Sequence, residues 1–171
     1  NEMFNGTIQS EHLKLQNGYI VIPWDNRLDS FTISLDLSVE SFTDNIGIAC
    51  IANENQPLLS ILYNGVDQRF LVKENIAEIA PETYRHVELK ETSKITITKY
   101  ANKISVFMDE IIVLTAYIKT STKGNRLFIG KNNIANIDNS AIIRICNLSV
   151  YDKNLSKEEV LTLSKGRLIF A

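Results

Sequence analysis

Cysteine and histidine are scarce in this sequence, and their scarcity argues against one class of site. Two cysteines, Cys50 and Cys146, and two histidines, His12 and His86, are spread over 171 residues. Structural zinc sites need such ligands at short, regular spacings, so we expect no zinc centre. Each cysteine lies in an apolar, strand-like run, and two interpretations stay open. The pair are either buried thiols acting as small hydrophobic groups or a disulfide between neighbouring strands.

Strong net charge and long apolar runs are also missing. The formal net charge is −2 at pH 7, which gives no electrostatic basis for binding nucleic acid or an anionic membrane surface. No run approaches the roughly 18 apolar residues of a membrane span, so we expect no membrane insertion. The chain opens at Asn1 with neither a Met nor a signal segment, and we expect it to be a mature or excised piece of a larger protein.

Motifs for catalysis are missing as well. Two carboxylates that flank a glycosidic bond could share one face of a strand if they were spaced as Glu-x-Asp-x-Glu, because strand side chains alternate. No such run occurs. Neither histidine has a neighbouring Ser or Cys with a supporting carboxylate, and there is no Gly-rich phosphate loop. We therefore expect a protein that is not an enzyme.

The sequence does contain period-two alternation, clearest from Lys94 to Ile118. β-Branched residues such as Ile95 and Ile97 alternate with polar ones, which predicts a half-buried strand. Breaks at Ala101-Asn102 and Asp109-Glu110 divide the segment into three strands. A meander of this kind buries one face and needs a second sheet to cover it.

Similar patterns predict further strands on both sides of this meander. They cover residues 12–16, 19–22, 31–39, 46–52, 58–72 (a hairpin turning at Asn64-Gly65), 125–130 and 141–151. Asn17-Gly18 predicts a type I′ turn, and residues 74–91 suit either a strand or a loop. Ser156 and Glu159 form a capping box that predicts one short helix, ended by Gly166. The sequence thus predicts one all-β domain over residues 1–171, a two-sheet antiparallel sandwich with one short C-terminal helix.

Five segments carry a resemblance to a known superfamily. They are Asn17–Pro23, Ser30–Ser34, Ile104–Asp109, Leu127–Gly130 and Ile145–Val160, of which the last is the most specific because an aromatic-Asp turn precedes a capped helix. Together they resemble the laminin G-like, concanavalin A-like lectin and glucanase jelly rolls. The family's usual Gly after the turn Asp is Glu110 here, and its Gly before the last strand is replaced by Ser140-Ala141. The resemblance implies a jelly roll, a fold shared by enzymes and binding modules.

Sugar recognition needs a flat apolar ring beside planar polar groups, and two loops offer both. The candidate ligand-binding residues are Trp24, Asp25 and Asn26 in the first loop, and Tyr63, Asp67 and Arg69 in the second. The alternative for Trp24 is that it closes the edge of the core, since tryptophan is usually highly buried.

A third loop is rich in asparagine. Asn132, Asn133 and Asp138 supply oxygen atoms that could hold Ca²⁺, the one cofactor that the sequence suggests. The alternative is an ordinary turn-rich loop, because carboxylates are scarce in it.

The polar face of two predicted strands suggests a groove. It carries Thr32, Ser34, Asp36, Thr96 and Thr98. In sialic-acid-binding members of the superfamily such a face carries Arg and Glu, so the resemblance makes Arg69, Arg85 and Arg144 candidates for a carboxylate sugar. The alternative is that these arginines form surface salt bridges.

These observations favour a non-catalytic, lectin-like carbohydrate-binding module of a larger extracellular or cell-surface protein, one that could itself be a glycan-processing enzyme, an adhesin or a toxin. Its expected partners are a glycan or other extracellular ligand and the neighbouring domains of the same chain, without nucleic acid. The alternative is a structural or protein-interaction domain that binds no sugar.

Overall fold

This computed structural model describes residues 2–9, 12–24, 29–41, 45–89, 91–119, 122–130, 142–152 and 156–160, and thirteen strands make up most of these residues. The strands are β1 (Glu2–Gln9), β2 (His12–Pro23), β3 (Phe31–Ser41), β4 (Asn45–Asn53), β5 (Gln56–Asn64), β6 (Arg69–Glu74), β7 (Ala77–Glu78), β8 (Thr83–Tyr84), β9 (Ser93–Tyr100), β10 (Lys103–Met108), β11 (Ile111–Tyr117), β12 (Arg126–Ile129) and β13 (Ile142–Tyr151). Residues 157–160 are helical and are called α1. The all-β prediction, with two antiparallel sheets and one short helix, is confirmed.

Hydrogen bonds connect the strands in the order β7-β6-β5-β4-β12-β2-β13-β3-β9-β10-β11-β8, and β1 pairs with β2 outside this path. Strand β2 joins the two sheets. Its residues Leu13–Gln16 pair with β13, whereas Ile20–Pro23 pair with β12. Strands β6 and β11, near the opposite ends of the path, also contact each other. The two sheets are therefore connected at two places: through β2, which pairs in both sheets, and through the contact between β6 and β11.

The type I′ turn predicted at Asn17-Gly18 is wrong, because β2 runs straight through it while crossing from one sheet to the other. The crossing brings main chains close together. Gly130 has φ +93°, and a Cβ there would lie 2.8 Å from Leu15 Cδ1 and 3.1 Å from the Gly18 carbonyl oxygen. Position 130 therefore favours glycine, which adopts a left-handed backbone without strain and has no Cβ to collide with β2.

The central meander has the predicted strands. Ile97 pairs with Val106 and Ile95 with Met108, so the apolar residues of β9 and β10 share one face. That face packs on the other sheet, where Ile51 and Ile61 lie opposite. These side chains leave an interior gap of only about 10 Å³. Burial of each such side chain contributes about 1.5–3 kcal/mol, so this interface stabilises the packing of the two sheets.

The prediction that the polar face of β3 and β9 lines an open groove is wrong, because Thr32, Ser34 and Thr96 are fully buried. Helix α1 lies over this face, where its Val160 packs against Phe107 of β10. The Ser34 and Thr96 hydroxyl oxygens lie 3.5 Å apart. The polar residues of this face are therefore interior groups and do not line an open site.

Two local predictions can be compared with the structure. The capping box is confirmed: the Glu159 amide donates to Ser156 Oγ at 3.2 Å, and the Ser156 amide donates to Glu159 Oε1 at 3.1 Å. No disulfide joins Cys50 and Cys146, which agrees with the thiol interpretation, but only Cys50 is buried and Cys146 is half-buried. Gly166, the predicted end of the helix, lies outside the described residues.

Candidate functional site

The structure places Trp24 in the core. Its side chain is 6% exposed, and its ring meets the Phe31 ring edge-on at a centroid distance of 5.0 Å. The Trp24 amide also donates to the Asn125 carbonyl at 3.0 Å, which ties the end of β2 to the start of β12. The ring thus has no face available for stacking on a sugar. Asp25 and Asn26 lie outside the described residues.

Tyr63 is likewise interior, with 1% of its surface exposed. Its ring lies edge-on to Phe70 at 5.2 Å, and its hydroxyl donates to the Val87 carbonyl oxygen at 2.7 Å. Burial raises the pKa of the Tyr63 phenol, so the neutral form that can donate this hydrogen bond is favoured. Tyr63 therefore anchors the 85–89 segment to the β5–β6 hairpin.

Tyr63→Phe should destabilise the protein by about 1 kcal/mol, because the Val87 carbonyl loses its partner while the ring packing is kept. Urea unfolding at pH 7 measures the difference. A second signature is the pH dependence. Because burial raises the folded pKa above its ordinary 10.0, the unfolded phenol ionises first, and wild type should lose part of its advantage as pH rises through 10. Equal stability at pH 7 would contradict the hydrogen bond.

The other two predicted residues of this loop, Asp67 and Arg69, do lie together at the surface. The Arg69 guanidinium carbon is 4.9 Å from the centroid of the Tyr84 ring, and its Nη2 is 3.3 Å from Glu78 Oε2. Arg69 Nε lies 3.9 Å from Asp67 Oδ2. The His86 ring also lies edge-on to the Tyr84 ring, at a centroid distance of 5.6 Å. We call these five residues the Arg69 cluster.

Local sequence explains how the hairpin presents Asp67. The Asn64 side-chain oxygen accepts from the amides of Val66 and Asp67, at 3.0 and 2.7 Å, which forms an Asx turn. Gln68 then takes a left-handed φ of 53° that reverses the chain. The Asp67 carbonyl oxygen lies 2.6 Å from His86 Nδ1. The hairpin end is thereby held against the segment that carries Tyr84 and His86.

Tyr84 reaches the cluster from the other sheet. It pairs with Leu114 of β11, and the amides on both sides of β8 extend the pairing: Glu82 donates to Thr115 and Arg85 to Val113. Arg69 belongs to β6, so the cluster spans the line where the two ends of the strand order meet. Tyr84 remains 51% exposed there.

Sequence reasoning missed Glu78, Tyr84 and His86. They lie in the 74–91 segment, which the pattern left open between strand and loop, and β7 and β8 have only two residues each. The Tyr84-x-His86 spacing was the available signal, because it puts two rings on the same side of an extended chain.

The remaining predicted site residues contribute nothing to this cluster. Arg144 pairs with Glu40, as its salt-bridge interpretation expects, and Arg85 is exposed. Asn132, Asn133 and Asp138 lie outside the described residues. Within the described ranges, no group of three or more His, Cys, Asp or Glu side chains could hold a metal ion. The helical part of the described chain contains no segment of the length and apolarity that a bilayer crossing needs.

Chemically, the Arg69 cluster combines a half-exposed aromatic ring with a guanidinium and two carboxylates. An aromatic face offers apolar contact area, and the guanidinium supplies up to five fixed donors. The carboxylates of Asp67 and Glu78 are acceptors for hydroxyl groups. Such a surface can contact a ligand that has both an apolar face and a rim of hydroxyls.

Comparison with known proteins shows the fold. No family model matches the chain, and no curated protein matches it either. Among solved structures, Trypanosoma rangeli sialidase superposes with a TM-score of 0.72 at 18% identity over 94% of this chain, and a mutant of that enzyme with trans-sialidase activity superposes with 0.74 at 16% over 95%. This chain is similar to part of those enzymes. It spans 28% of each sialidase chain.

Botulinum neurotoxin structures match as well. One, of the type C toxin, whose cell entry depends on interaction with two ganglioside molecules, gives a TM-score of 0.70 at 12% identity, over 96% of this chain and 45% of that one. The binding domain of neurotoxin DC, in complex with rat synaptotagmin II, gives 0.67 at 14%, over 96% and 46%. Likeness at such identities establishes a shared β-sandwich.

One expectation needs correction here. The prediction that the chain is not an enzyme is wrong, because sialidases, which are enzymes, match over as much as 95% of it. Absent motifs were a poor guide, since an active site can be assembled from residues far apart in the chain. The laminin G-like resemblance holds only at the level of a jelly-roll sandwich, since no family model matches.

Proposed function

We propose that this chain is a carbohydrate-binding β-sandwich module of a larger extracellular protein, and that the Arg69 cluster is the surface that contacts the sugar. The observation that supports the proposal most is the environment of Tyr84. It is half exposed, yet its ring contacts both the Arg69 guanidinium and the His86 ring, which fix its position. A ring fixed before binding loses little conformational entropy when a ligand stacks on it.

The polar groups around Tyr84 suit a sugar rim. In this proposal the exposed part of the Tyr84 ring stacks on the apolar face of a pyranose. Glu78 and Asp67, whose side chains are 46% and 58% exposed, accept from hydroxyls, while Arg69 donates. Exposed ion pairs contribute only about 0–1 kcal/mol, so exchanging part of them for hydroxyl contacts costs little.

The matched structures agree with this proposal without testing it. Trypanosoma rangeli sialidase is known in complex with sialic acid, and cell entry of the type C toxin depends on interaction with two ganglioside molecules. The neurotoxin DC domain was captured with a protein, so a protein ligand is the outcome to be distinguished by experiment.

A glycan array probed with this chain and its variants tests the proposal. We expect selective binding that Tyr84→Ala weakens at least about tenfold, the order of effect of one aromatic anchor in a contact. Tyr84→Phe, which keeps the ring, should retain most of the affinity. Tyr100→Ala is the matched control, because Tyr100 is a similarly exposed tyrosine (61%) outside the cluster.

Two outcomes would overturn the assignment. Array binding that survives Tyr84→Ala unchanged would remove the Arg69 cluster as the sugar site. A blank array for the wild-type chain would instead favour a protein ligand. Thermal unfolding of each variant shows that a loss of binding is not a loss of folding.

A further inference from the structure

A second site lies in a polar pocket of about 210 Å³. At about 30 Å³ for each water, this volume corresponds to roughly seven water molecules, enough for a compact ligand group. Its lining residues include Asp29, Lys99, Asn102, Lys119, Thr122 and Lys123. None of them belongs to the Arg69 cluster, so this pocket is independent of the proposed function.

The charge of the pocket is opposite in sign to that of the whole chain. Three of its lining residues are lysines and one is an aspartate, which gives a formal charge of +2, whereas the full chain carries −2. Neighbouring ammonium groups repel each other, and the carboxylates of Asp29 and of Glu74, whose Oε1 accepts from the Lys119 amide at 3.0 Å, offset only part of that repulsion. An anion inside the pocket would offset the remainder.

Part of the positive charge of the pocket is shielded from water, because Lys99 is buried. The residue is 7% exposed, and its Nζ donates to the Asp29 carbonyl oxygen at 2.6 Å. Burial lowers the pKa of Lys99, while the Asp29 charge acts in the opposite direction. An ammonium has three donors, and only one is accounted for by the Asp29 carbonyl. A lysine placed in this way differs from the solvated lysines of an ordinary surface.

The backbone around the pocket is fixed by hydrogen bonds. The Ile118 amide donates to the Asn102 carbonyl at 2.8 Å, which joins the β9–β10 turn to the end of β11. Ala101, in that turn, has a left-handed φ of 52°. Thr122, which also lines the pocket, is 3% exposed. The pocket is therefore formed by the fold before any ligand arrives.

From the volume, the excess of lysine and the buried position of Lys99, we infer that this pocket binds a small oxyanion: a carboxylate, sulfate or phosphate group on a compact ligand. Lysine ammonium groups act on such groups as point charges with charge-assisted hydrogen bonds. Asn102 and Thr122 add neutral hydrogen-bonding groups for the rest of the ligand.

Titration of this chain followed by NMR tests the inference. The probes are inorganic sulfate, inorganic phosphate and N-acetylneuraminic acid, with neutral galactose as the uncharged comparison. We expect saturable shifts at Lys99, Asn102 and Thr122 with at least one anion and none with galactose. The anion that binds most tightly shows whether the ligand group is a carboxylate, a sulfate or a phosphate. Because an anion favours the ammonium form, the pKa of Lys99 should rise when the pocket is occupied.

Variants separate this site from general attraction between charges. Lys119→Gln combined with Lys123→Gln removes two exposed charges and should raise Kd at least about tenfold, since hydrogen bonds to charged groups contribute about 1.5–3 kcal/mol. Lys99→Met keeps the buried aliphatic stem and removes the third charge. Lys157→Gln, on α1, is the control that removes one charge elsewhere and should leave Kd unchanged.

Three results would overturn the inference: no saturable shift with any of the anions, equal shifts with galactose, or the same loss of affinity in Lys157→Gln as in the double variant. If Lys99→Met fails to fold, the double variant still decides, because both of its positions are exposed. If the pocket binds no anion, the effect of Tyr84→Ala on glycan-array binding would still test the proposed function independently.

Discussion

Trp24→Ala should lower the free energy of unfolding by about 3–5 kcal/mol, the range found when a large aromatic side chain is removed from a packed core. Trp24 is 6% exposed and belongs to the main core cluster, where its ring lies 5.0 Å from Phe31. The surrounding strands are tied by backbone hydrogen bonds and cannot collapse fully into the space that alanine would leave. Urea unfolding followed by circular dichroism measures the change.

The chain offers controls for this experiment. Tyr84→Ala removes a half-exposed ring and should cost no more than about 1 kcal/mol. Trp24→Phe should cost much less than Trp24→Ala. It keeps most of the apolar contact, and the indole Nε1 that it removes is buried with no hydrogen-bond partner among the described residues. Since Trp24 is the sole tryptophan, fluorescence reports its burial directly. A small effect of Trp24→Ala would contradict the burial of this ring and would make Trp24 a candidate sugar contact again.

What the sequence could predict was local or periodic. The alternation of Ile95 and Ile97 identified a strand, and the Ser156–Glu159 spacing identified a helix start, because each depends on residues close in the chain. The alternation could not show what covers each face. The alternation predicts that Thr32 and Ser34 face solvent, yet both are fully buried, and α1, more than 120 residues later, packs on neighbouring strands through Val160 and Phe107.

The candidate site was harder to predict for the same reason. Asp67 and Arg69 were found because they flank a hairpin turn that is visible in the sequence. Tyr84 was missed because it belongs to a two-residue strand whose place is set by pairing with Leu114, far along the chain. The cluster exists only because the two ends of the strand order come together. The lysine pocket likewise combines residues that are far apart in the chain, from the end of β9 and from segments that adjoin β3, β10, β11 and β12.

Gly124→Ala should destabilise the protein by about 3 kcal/mol or more. A Cβ at this position would collide with the Ala52 carbonyl oxygen and lie 2.7 Å from its carbon. Overpacking in a core costs about 1–3 kcal/mol where side chains can yield, but here the obstacle is main chain. The Ala52 oxygen also accepts from the Asn125 amide at 2.9 Å, so it cannot move away without breaking that bond.

The clash at Gly124 should spread beyond the local contact. Asn125 exchanges two hydrogen bonds with Glu54, through Glu54 N at 2.8 Å and Glu54 Oε1 at 2.7 Å, and its carbonyl accepts from Trp24. Displacing residue 124 therefore loosens the edge of the core. It also moves Thr122 and Lys123, so anion binding should weaken together with stability. Gly65→Ala is the control, since Gly65 is partly exposed in the hairpin loop and has no positive φ. If the two alanine variants unfold at the same urea concentration, the close approach of Gly124 to β4 is not part of the folded state.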